Sequence, residues 1–549
     1  MHKYKWDPMT GGILLLPQQE KSSREPRPVY YREMNLLGMD KRWKYPQNDD
    51  VPIMWAEAER YIYRGRTIAR TKGGGLFQRP EIIYTEAEEG IPEGETLTPV
   101  DVDRMIAKNT ELLNNLLEET AQKIYSTYVK FRDRIDLFYV AFSGGKDSVV
   151  ALDMVQRTLP HNAFKVVFGD TQMEFPDTYR TVATVESWCK ENGIDFLRAK
   201  SPLSPKAAWN IFGPPAAEIR WCCSVFKTTP QILLLRNVMQ NSSFTGMAFT
   251  GIRAEESASR GEYDDISEGK KHKGQFSFHV IFDWNSAELY MHIYRNHLPL
   301  GDSYFKGVPR AGCLVCPNAV GRSDYFRRTA YTKEIDEYLN VIRQTSAKAA
   351  TFSDSQMQEF INDGHWRTRS TGRELALGKD IHRYREVEKG THCITILKSG
   401  LYHHWIRWMR TVGDIIRSDG GHVEVKFQDK TYGLNWVVGD DGFDEIWLSN
   451  CFRSKTDVKF LSLLKSSVIK AAYCVNCGVC EAECKYSCIH CTENGLTIGD
   501  NCQHCHQCHA VYEHCIRYYS IRNKETEGKL LKAIDRYSSF GFRNSWLES

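Results

Sequence analysis

The sequence predicts an α/β protein built on a doubly wound parallel sheet. Three observations carry this. Between about residue 102 and residue 375, short apolar runs alternate with stretches of helical periodicity. The runs LFYVAF and AFKVVF lack polar alternation, as strands buried on both faces do. The first run breaks off into Ser143-Gly144-Gly145-Lys146-Asp147-Ser148, and a helical pattern begins at once.

Taken in order, residues 1–100 hold no cysteine and are rich in Gly, Pro and aromatics, which predicts a small β-containing domain. The stretch TEAEEGIPEGETLTPVD reads as a linker. MIAKNTELLNNLLEETAQKIYSTYVKFRD then spaces its apolar residues by three and four, a helix that opens the parallel-sheet domain, 101–375. In that domain LFYVAF precedes DSVVALDMVQRTL, AFKVVFGD precedes PDTYRTVATVESWCKEN, and IDFLRAK precedes further helix, giving right-handed βαβ units. Residues 376–465 read as a mixed α/β domain: HCITILKSG, HVEVKFQDKTYGLNWVV and EIWLSN alternate like half-exposed strands, and LYHHWIRWMRTVGDIIRS reads as one helix. A cysteine-rich segment, 466–525, and a polar basic tail, 526–549, follow.

The 549 residues exceed what one core organises, and two to four domains are expected. With 42% hydrophobic and 26% charged residues the composition is globular, and a net charge of +3 gives no global case for nucleic acid. No apolar stretch reaches the roughly 18 residues of a membrane helix, and MHKYKWDPMTGG lacks a secretory pattern, so a cytoplasmic location is expected. Of 17 cysteines, ten lie between Cys474 and Cys515, with Cys451 nearby; such clustering in a reducing compartment points to metal.

SGGKDS suits a phosphate. Gly144 and Gly145 let backbone N–H groups approach an anion, the following helix adds its positive end, and Ser143 and Ser148 offer hydroxyls. Lys146 adds a mobile charge, and Asp147 suits a Mg²⁺ ion. The bland reading is a Gly-Gly turn with a capped helix. GxxxxGK[ST] is absent, so this is not a Walker loop.

SGGKDS resembles the PP-loop of the ATP pyrophosphatase superfamily. GDTQMEFPDTY (169–179), RWCCSVFKTTP (220–230), GIRAEESASR (251–260) and FDWNSAELYMHIYRNHLPLGDSYFKGVPRAGCLVCPNA (282–319) resemble motifs of the phosphoadenosine phosphosulfate (PAPS) reductase family. The resemblance covers roughly residues 135 to 330. It implies an adenine nucleotide alpha-hydrolase-like fold, with Ser143 to Ser148, Asp170, Lys227, Arg253 and Arg260 around the nucleotide and Lys146, Asp147 and Arg253 in the chemistry. Arginine forks suit phosphate, while Asp177 reads equally well as a helix cap. PAPS and adenylyl-sulfate (APS) reductases take a substrate already adenylated and use a cysteine near the C-terminus as nucleophile. The intact loop, and the lack of a cysteine after Cys515, favour relatives that use ATP, such as those of DNA phosphorothioation and tRNA thiolation.

Cys222, Cys223, Cys313 and Cys316 form a CC…CxxC set, for which the resemblance implies a [4Fe–4S] cluster; buried thiols or a zinc knot are the alternatives. Cys474, Cys477, Cys480 and Cys484 repeat the bacterial ferredoxin spacing. By its rule Cys474, Cys477, Cys480 and Cys515 hold one [4Fe–4S] cluster, and Cys484, Cys502, Cys505 and Cys508 a second. Lys485 replaces the usual Pro, and Cys488 and Cys491 are surplus. Those two with Cys502 and Cys505 read also as a zinc ribbon, an option that His504, His506, His509 and His514 keep open. HHWIRWMR (403–410) suits either base stacking or an amphipathic helix with its Trp face inward, and KKHKGQ (270–275) a solvated loop.

The expected function is therefore an iron–sulfur PP-loop enzyme that splits ATP into AMP and pyrophosphate and activates a substrate for sulfur transfer, with a sulfur donor, an electron-donor protein and nucleic acid as expected partners. A sulfonucleotide reductase taking APS or PAPS, and a non-catalytic iron–sulfur subunit, are the competing expectations.

Overall fold

The structure is a computed structural model that describes residues 1–86, 90–268, 274–319, 321–378, 382–389, 392–398, 405–439, 443–449, 454–492 and 495–522. Cys451, most of KKHKGQ and the tail 526–549 lie outside the described residues. Two compact units emerge, and neither is one continuous segment. The first joins Met1–Ala199, Phe244–Leu339 and Gln358–Gly364; the second joins Lys200–Ser243, Asn340–Met357 and the chain from His365 onward.

The first unit is organised by a six-stranded sheet in the order Phe196–Lys200, Lys165–Asp170, Leu137–Phe142, Gly246–Thr250, Gln275–His279, Ile266–Glu268. Leu137–Phe142 pairs in parallel with both neighbours, Gly246–Thr250 pairs in parallel with Gln275–His279, and only the edge strand Ile266–Glu268 is antiparallel. Val140, Val166, Val167 and Phe168 are wholly buried, which is why these strands read as continuous apolar runs. The chain leaves Leu137–Phe142 toward one edge and later returns on its other side. This reversal opens a crevice at the carboxyl end of that strand, where ligands bind in such sheets.

The helix Val102–Phe131 buries Met105, Asn109, Leu113, Leu116, Thr120, Ile124, Thr127 and Phe131, a single stripe at three- and four-residue steps. Its N-cap Asp101 accepts the Arg104 N–H. The N-terminal strands form a hairpin, His2–Asp7 with Gly12–Gln19, and a five-stranded antiparallel sheet from Arg27–Val29 to Glu81–Tyr84. Ile13, Leu15 and Trp55 of these strands belong to the same hydrophobic core as the parallel sheet. Glu288 ties the hairpin on: it caps the helix Ser286–Arg295 and also accepts the His2 backbone N–H at 2.9 Å.

The second unit holds a six-stranded antiparallel sheet running from Tyr384–Lys389 to Asp414–Asp419, packed on the helix Lys455–Tyr473. One expectation fails here. The helix over LYHHWIRWMRTVGDIIRS shrinks to Trp405–Met409, and Asp414–Asp419 is a strand. The reason is Gly413, where an added Cβ would lie 2.2 Å from the Lys426 carbonyl oxygen: backbone comes so close to backbone that the chain enters the sheet. Trp405 and Trp408 are each 1% exposed, so the short helix does turn its Trp face inward. Among the described residues no helix is long and apolar enough to cross a membrane.

Candidate functional site

The SGGKDS loop joins the strand Leu137–Phe142 to the helix Lys146–Thr158. Gly144 sits at φ 75°, and a Cβ there would meet the Thr178 methyl carbon at 2.8 Å, so both conformation and space call for glycine. Ser148 Oγ accepts the Ser143 N–H at 3.1 Å and donates to the Gly145 carbonyl at 2.8 Å, which locks the loop. The Lys146 N–H donates to Tyr304 Oη at 3.0 Å, and the Ala311 N–H reaches the same oxygen at 3.3 Å.

The charges of the loop converge with those of the segment after strand Gly246–Thr250. Asp147 Oδ2 accepts Lys146 Nζ at 2.8 Å, and its Oδ1 accepts Arg253 Nε at 2.7 Å. Arg253, 1% exposed, also donates to Ser286 Oγ at 3.1 Å and to Glu255. Gly251 makes this approach possible, because a Cβ there would stand 2.4 Å from the Asp147 carbonyl oxygen. Burial works against the Asp147 charge, but Lys146 and Arg253 outweigh it and hold the carboxyl far below the usual range. With both oxygens engaged, this carboxylate does not fit a direct Mg²⁺ ligand.

Arg260 and Arg310 share Glu256, and Arg310 also pairs with Glu25 at 2.6 Å. Burial lowers the pKa of Lys146, and Arg253 and Arg310 lower it further; burial and Arg310 do the same to Arg260. Four cations that depress one another form a place where an anion would relieve repulsion. Arg310 and Tyr304 were not singled out from the sequence, although both fall within FDWNSAELYMHIYRNHLPLGDSYFKGVPRAGCLVCPNA. Arg310, a basic residue just before the CxxC and beside two small residues, was the available signal.

The remaining nucleotide candidates take other places. Asp170, at the end of its strand, accepts the Gln172 N–H and the Tyr179 hydroxyl, both at 2.8 Å, which orders the turn beyond. Asp177 accepts the Ser303 N–H at 2.9 Å and the Tyr331 hydroxyl, a structural role. Lys227 belongs to the second unit, on a π-helical turn, Ser224–Thr228, that follows Cys222 and Cys223. Cys313 and Cys316 belong to the first unit, where Cys313 bridges Glu174 and the Leu314 N–H donates to the Met173 carbonyl at 2.7 Å.

The C-terminal thiols fall into two neighbourhoods. Cys474 ends the helix Lys455–Tyr473, Cys477 and Cys480 flank the start of Val479–Glu483, and Cys515 caps Ile516–Ile521. These four line one cavity, joined by Cys491 from the hairpin strand Ile489–Thr492 and by Lys470. In the other, the Cys488 N–H donates to Cys484 Sγ at 3.3 Å, and the Cys488 thiol interacts with Cys484 and Cys502. Cys502 in turn feels Cys505, and Cys508 feels Cys484 and Cys502. Each neighbourhood thus takes one surplus cysteine. Burial pushes Cys474 up to about 12 and Cys515 to about 11, so without a cation these thiols stay protonated.

The donor set fits a sulfur-ligated cluster better than zinc. His509, buried, has one ring nitrogen on Thr411 Oγ1 at 2.6 Å and the other on Ser466 Oγ at 2.7 Å. His504 and His506 bond the Arg410 and Val412 carbonyls at 3.2 Å. Among the described residues no group of three or more His, Cys, Asp or Glu is disposed to hold a metal ion. The thiols surround a cavity instead of converging on a point at the roughly 2.3 Å that a Zn–S bond requires.

Residues 138–319 match the phosphoadenosine phosphosulfate reductase domain. An uncharacterized protein of Methanocaldococcus jannaschii is 29% identical over 293 residues, covering 53% of this chain and 55% of the relative. A second protein of that archaeon is 24% identical over 246 residues, with 44% and 56% covered. The chain therefore spans about half the length of these two relatives. An adenosine 5′-phosphosulfate reductase of Geobacillus kaustophilus is 26% identical over 190 residues, covering 34% of this chain and 75% of the relative. The PAPS reductase of Candida auris, in a phosphate complex, aligns at 18% identity and a TM-score of 0.28, covering 42% of this chain and 97% of that one. The domain match takes in the loop, Arg253 and the CC…CxxC cysteines; the thiols from Cys474 onward lie beyond it.

Proposed function

We propose that the loop Ser143–Ser148 binds the pyrophosphate half of ATP and that the protein adenylates a substrate for sulfur transfer. The observation that carries this reading is the intact strand–loop–helix at the reversal of the sheet, with Lys146, Arg253, Arg260 and Arg310 gathered beside it. An oxygen nucleophile of the substrate attacks the α-phosphorus, the bond to the bridging oxygen breaks, and pyrophosphate leaves with that oxygen. A sulfur nucleophile then displaces AMP. Lys146 and Arg253 balance the charge that builds on the leaving group, a contribution that grows in a water-poor site. Nucleic acid is the acceptor class this reading proposes. Incubation with α-labelled ATP and candidate acceptors should yield labelled AMP, and Lys146→Ala should slow this by about 100-fold. ADP as the labelled product overturns the reading.

A second reading is sulfonucleotide reduction, favoured by the relatives named adenosine 5′-phosphosulfate reductase. It predicts sulfite from APS or PAPS in the presence of a thiol or low-potential reductant, with no response to ATP.

For the C-terminal thiols the same proposal assigns [4Fe–4S] centres, which would supply one-electron chemistry. Cys474, Cys477, Cys480 and Cys515 would hold one; Cys484, Cys502, Cys505 and Cys508 would hold the other, with Cys488 as the competing ligand. Cys222, Cys223, Cys313 and Cys316 are assigned a cluster on their spacing alone. Iron and acid-labile sulfide in anaerobically purified protein test this, and Cys477→Ser should remove one centre's share. Zinc in place of iron defeats it.

A further inference from the structure

Lys470 is a strange residue to find where it is. It lies on the last turn of the helix Lys455–Tyr473, it is 1% exposed, and it lines the cavity that Cys474, Cys477, Cys480 and Cys515 share. Its ammonium donates to Cys480 Sγ at 3.0 Å and stands 5.0 Å from the centre of the Trp408 ring. A lysine is almost never fully buried without an ionised partner, because desolvating its charge costs several kcal/mol. No carboxylate lines this cavity; what surrounds Lys470 is sulfur, with Arg517 as the other basic residue. Cys508, of the second thiol neighbourhood, also acts on Lys470, along with Cys480 and Cys515.

A helix C-terminal turn favours a cation, which accounts for a basic residue at this end of the helix but not for one turned inward. An aliphatic side chain would fill the same volume without the desolvation cost. The charge therefore answers a negative charge inside the unit, and the thiols are the groups that can carry it.

We propose that Lys470 is a positioning residue for the C-terminal redox centre: it donates an N–H to the sulfur of Cys480 and lends a fixed positive charge that favours the reduced state. This rests on the cluster assignment above. Each electron accepted makes a thiolate-ligated centre one unit more negative, and a cation held 3.0 Å from a ligand sulfur stabilises the more negative state more strongly. The proton inventory does not change, since the ammonium keeps its charge in both states. The centre consequently accepts an electron at a higher potential than the same thiols would support alone.

The test uses the full chain, purified without oxygen, as wild type, Lys470→Met and Lys470→Arg. Iron and sulfide are measured first, and the centre lost in Cys477→Ser identifies the signal to follow. A redox titration read by electron paramagnetic resonance then gives the midpoint. With iron content unchanged, Lys470→Met should lower that midpoint by at least the equivalent of a tenfold change in the reduction equilibrium, about 59 mV for one electron. Lys470→Arg, which keeps the charge, should stay near wild type. A midpoint unmoved in Lys470→Met, or moved equally in both variants, overturns the proposal. If Lys470→Met loses its iron, Lys470→Gln takes its place, and loss of iron there too overturns a tuning role in favour of a purely structural one. Absence of iron from the wild type is a separate result: it defeats the cluster assignment itself.

Discussion

At the scale of single residues, the candidate site depends on partners that are far away in sequence. SGGKDS was legible because its information is local: two glycines, two hydroxyls and a lysine in six positions. Tyr304, which receives the Lys146 N–H, and Arg310 were not, because nothing near them in the chain signals the loop they serve. Arg310 gives the sharpest prediction at this scale. Arg310→Gln should weaken nucleotide binding about tenfold, roughly 1.4 kcal/mol, by equilibrium dialysis, with little change in fold. Asp147 gives a pH prediction. Its folded pKa lies below the ordinary value near 3.9, so its contribution to stability is complete above that value and is lost as pH falls through it. Urea unfolding from pH 7 to pH 3 should show this acid-side loss in the wild type and a flatter limb in Asp147→Asn, which is also less stable at pH 7.

At the scale of elements, the buried strands were legible because both of their faces are covered, and apolar runs follow. The helix expected through Asp414–Asp419 failed because periodicity cannot report a close backbone approach such as that at Gly413. Arg369 shows what else escapes such reading. It is 4% exposed, and it donates to the Pro214 carbonyl at 2.8 Å, the Ser520 carbonyl at 2.7 Å and the Phe212 carbonyl at 3.2 Å. Burial lowers its pKa to about 10. One side chain thus pins the end of helix Pro205–Phe212 to helix Ile516–Ile521. Arg369→Met strands three buried carbonyls and should cost about 3 kcal/mol in denaturant unfolding, since an unmade buried hydrogen bond is expensive.

At the scale of the whole molecule, the sequence read as a line of domains, whereas the compact units interleave. Segment Lys200–Ser243, which lies inside the span matched to the reductase domain, packs with the cysteine-rich end. The contacts are specific. Arg236 donates to the Glu481 carbonyl at 3.0 Å, Ser242 and Ser243 donate to the Lys485 carbonyl at 2.8 and 2.9 Å, and Gly478 abuts Thr229 and Leu233. Composition and spacing carry no trace of such pairing, because each half of every contact looks like an ordinary surface residue in its own neighbourhood. Residues 376–549 expressed alone should therefore bind less iron per chain than the same residues co-expressed with 200–243, a difference read by iron analysis of the purified fragments.

The polypeptide passes between the two units five times, at 199/200, 243/244, 339/340, 357/358 and 364/365. A protease that nicks one such passage frees nothing, since four covalent tethers remain. Shuffling genes end to end could not have assembled this arrangement by simple addition either: a cysteine-rich module appended at the C-terminus would have had to recruit a loop of its host as part of its own body.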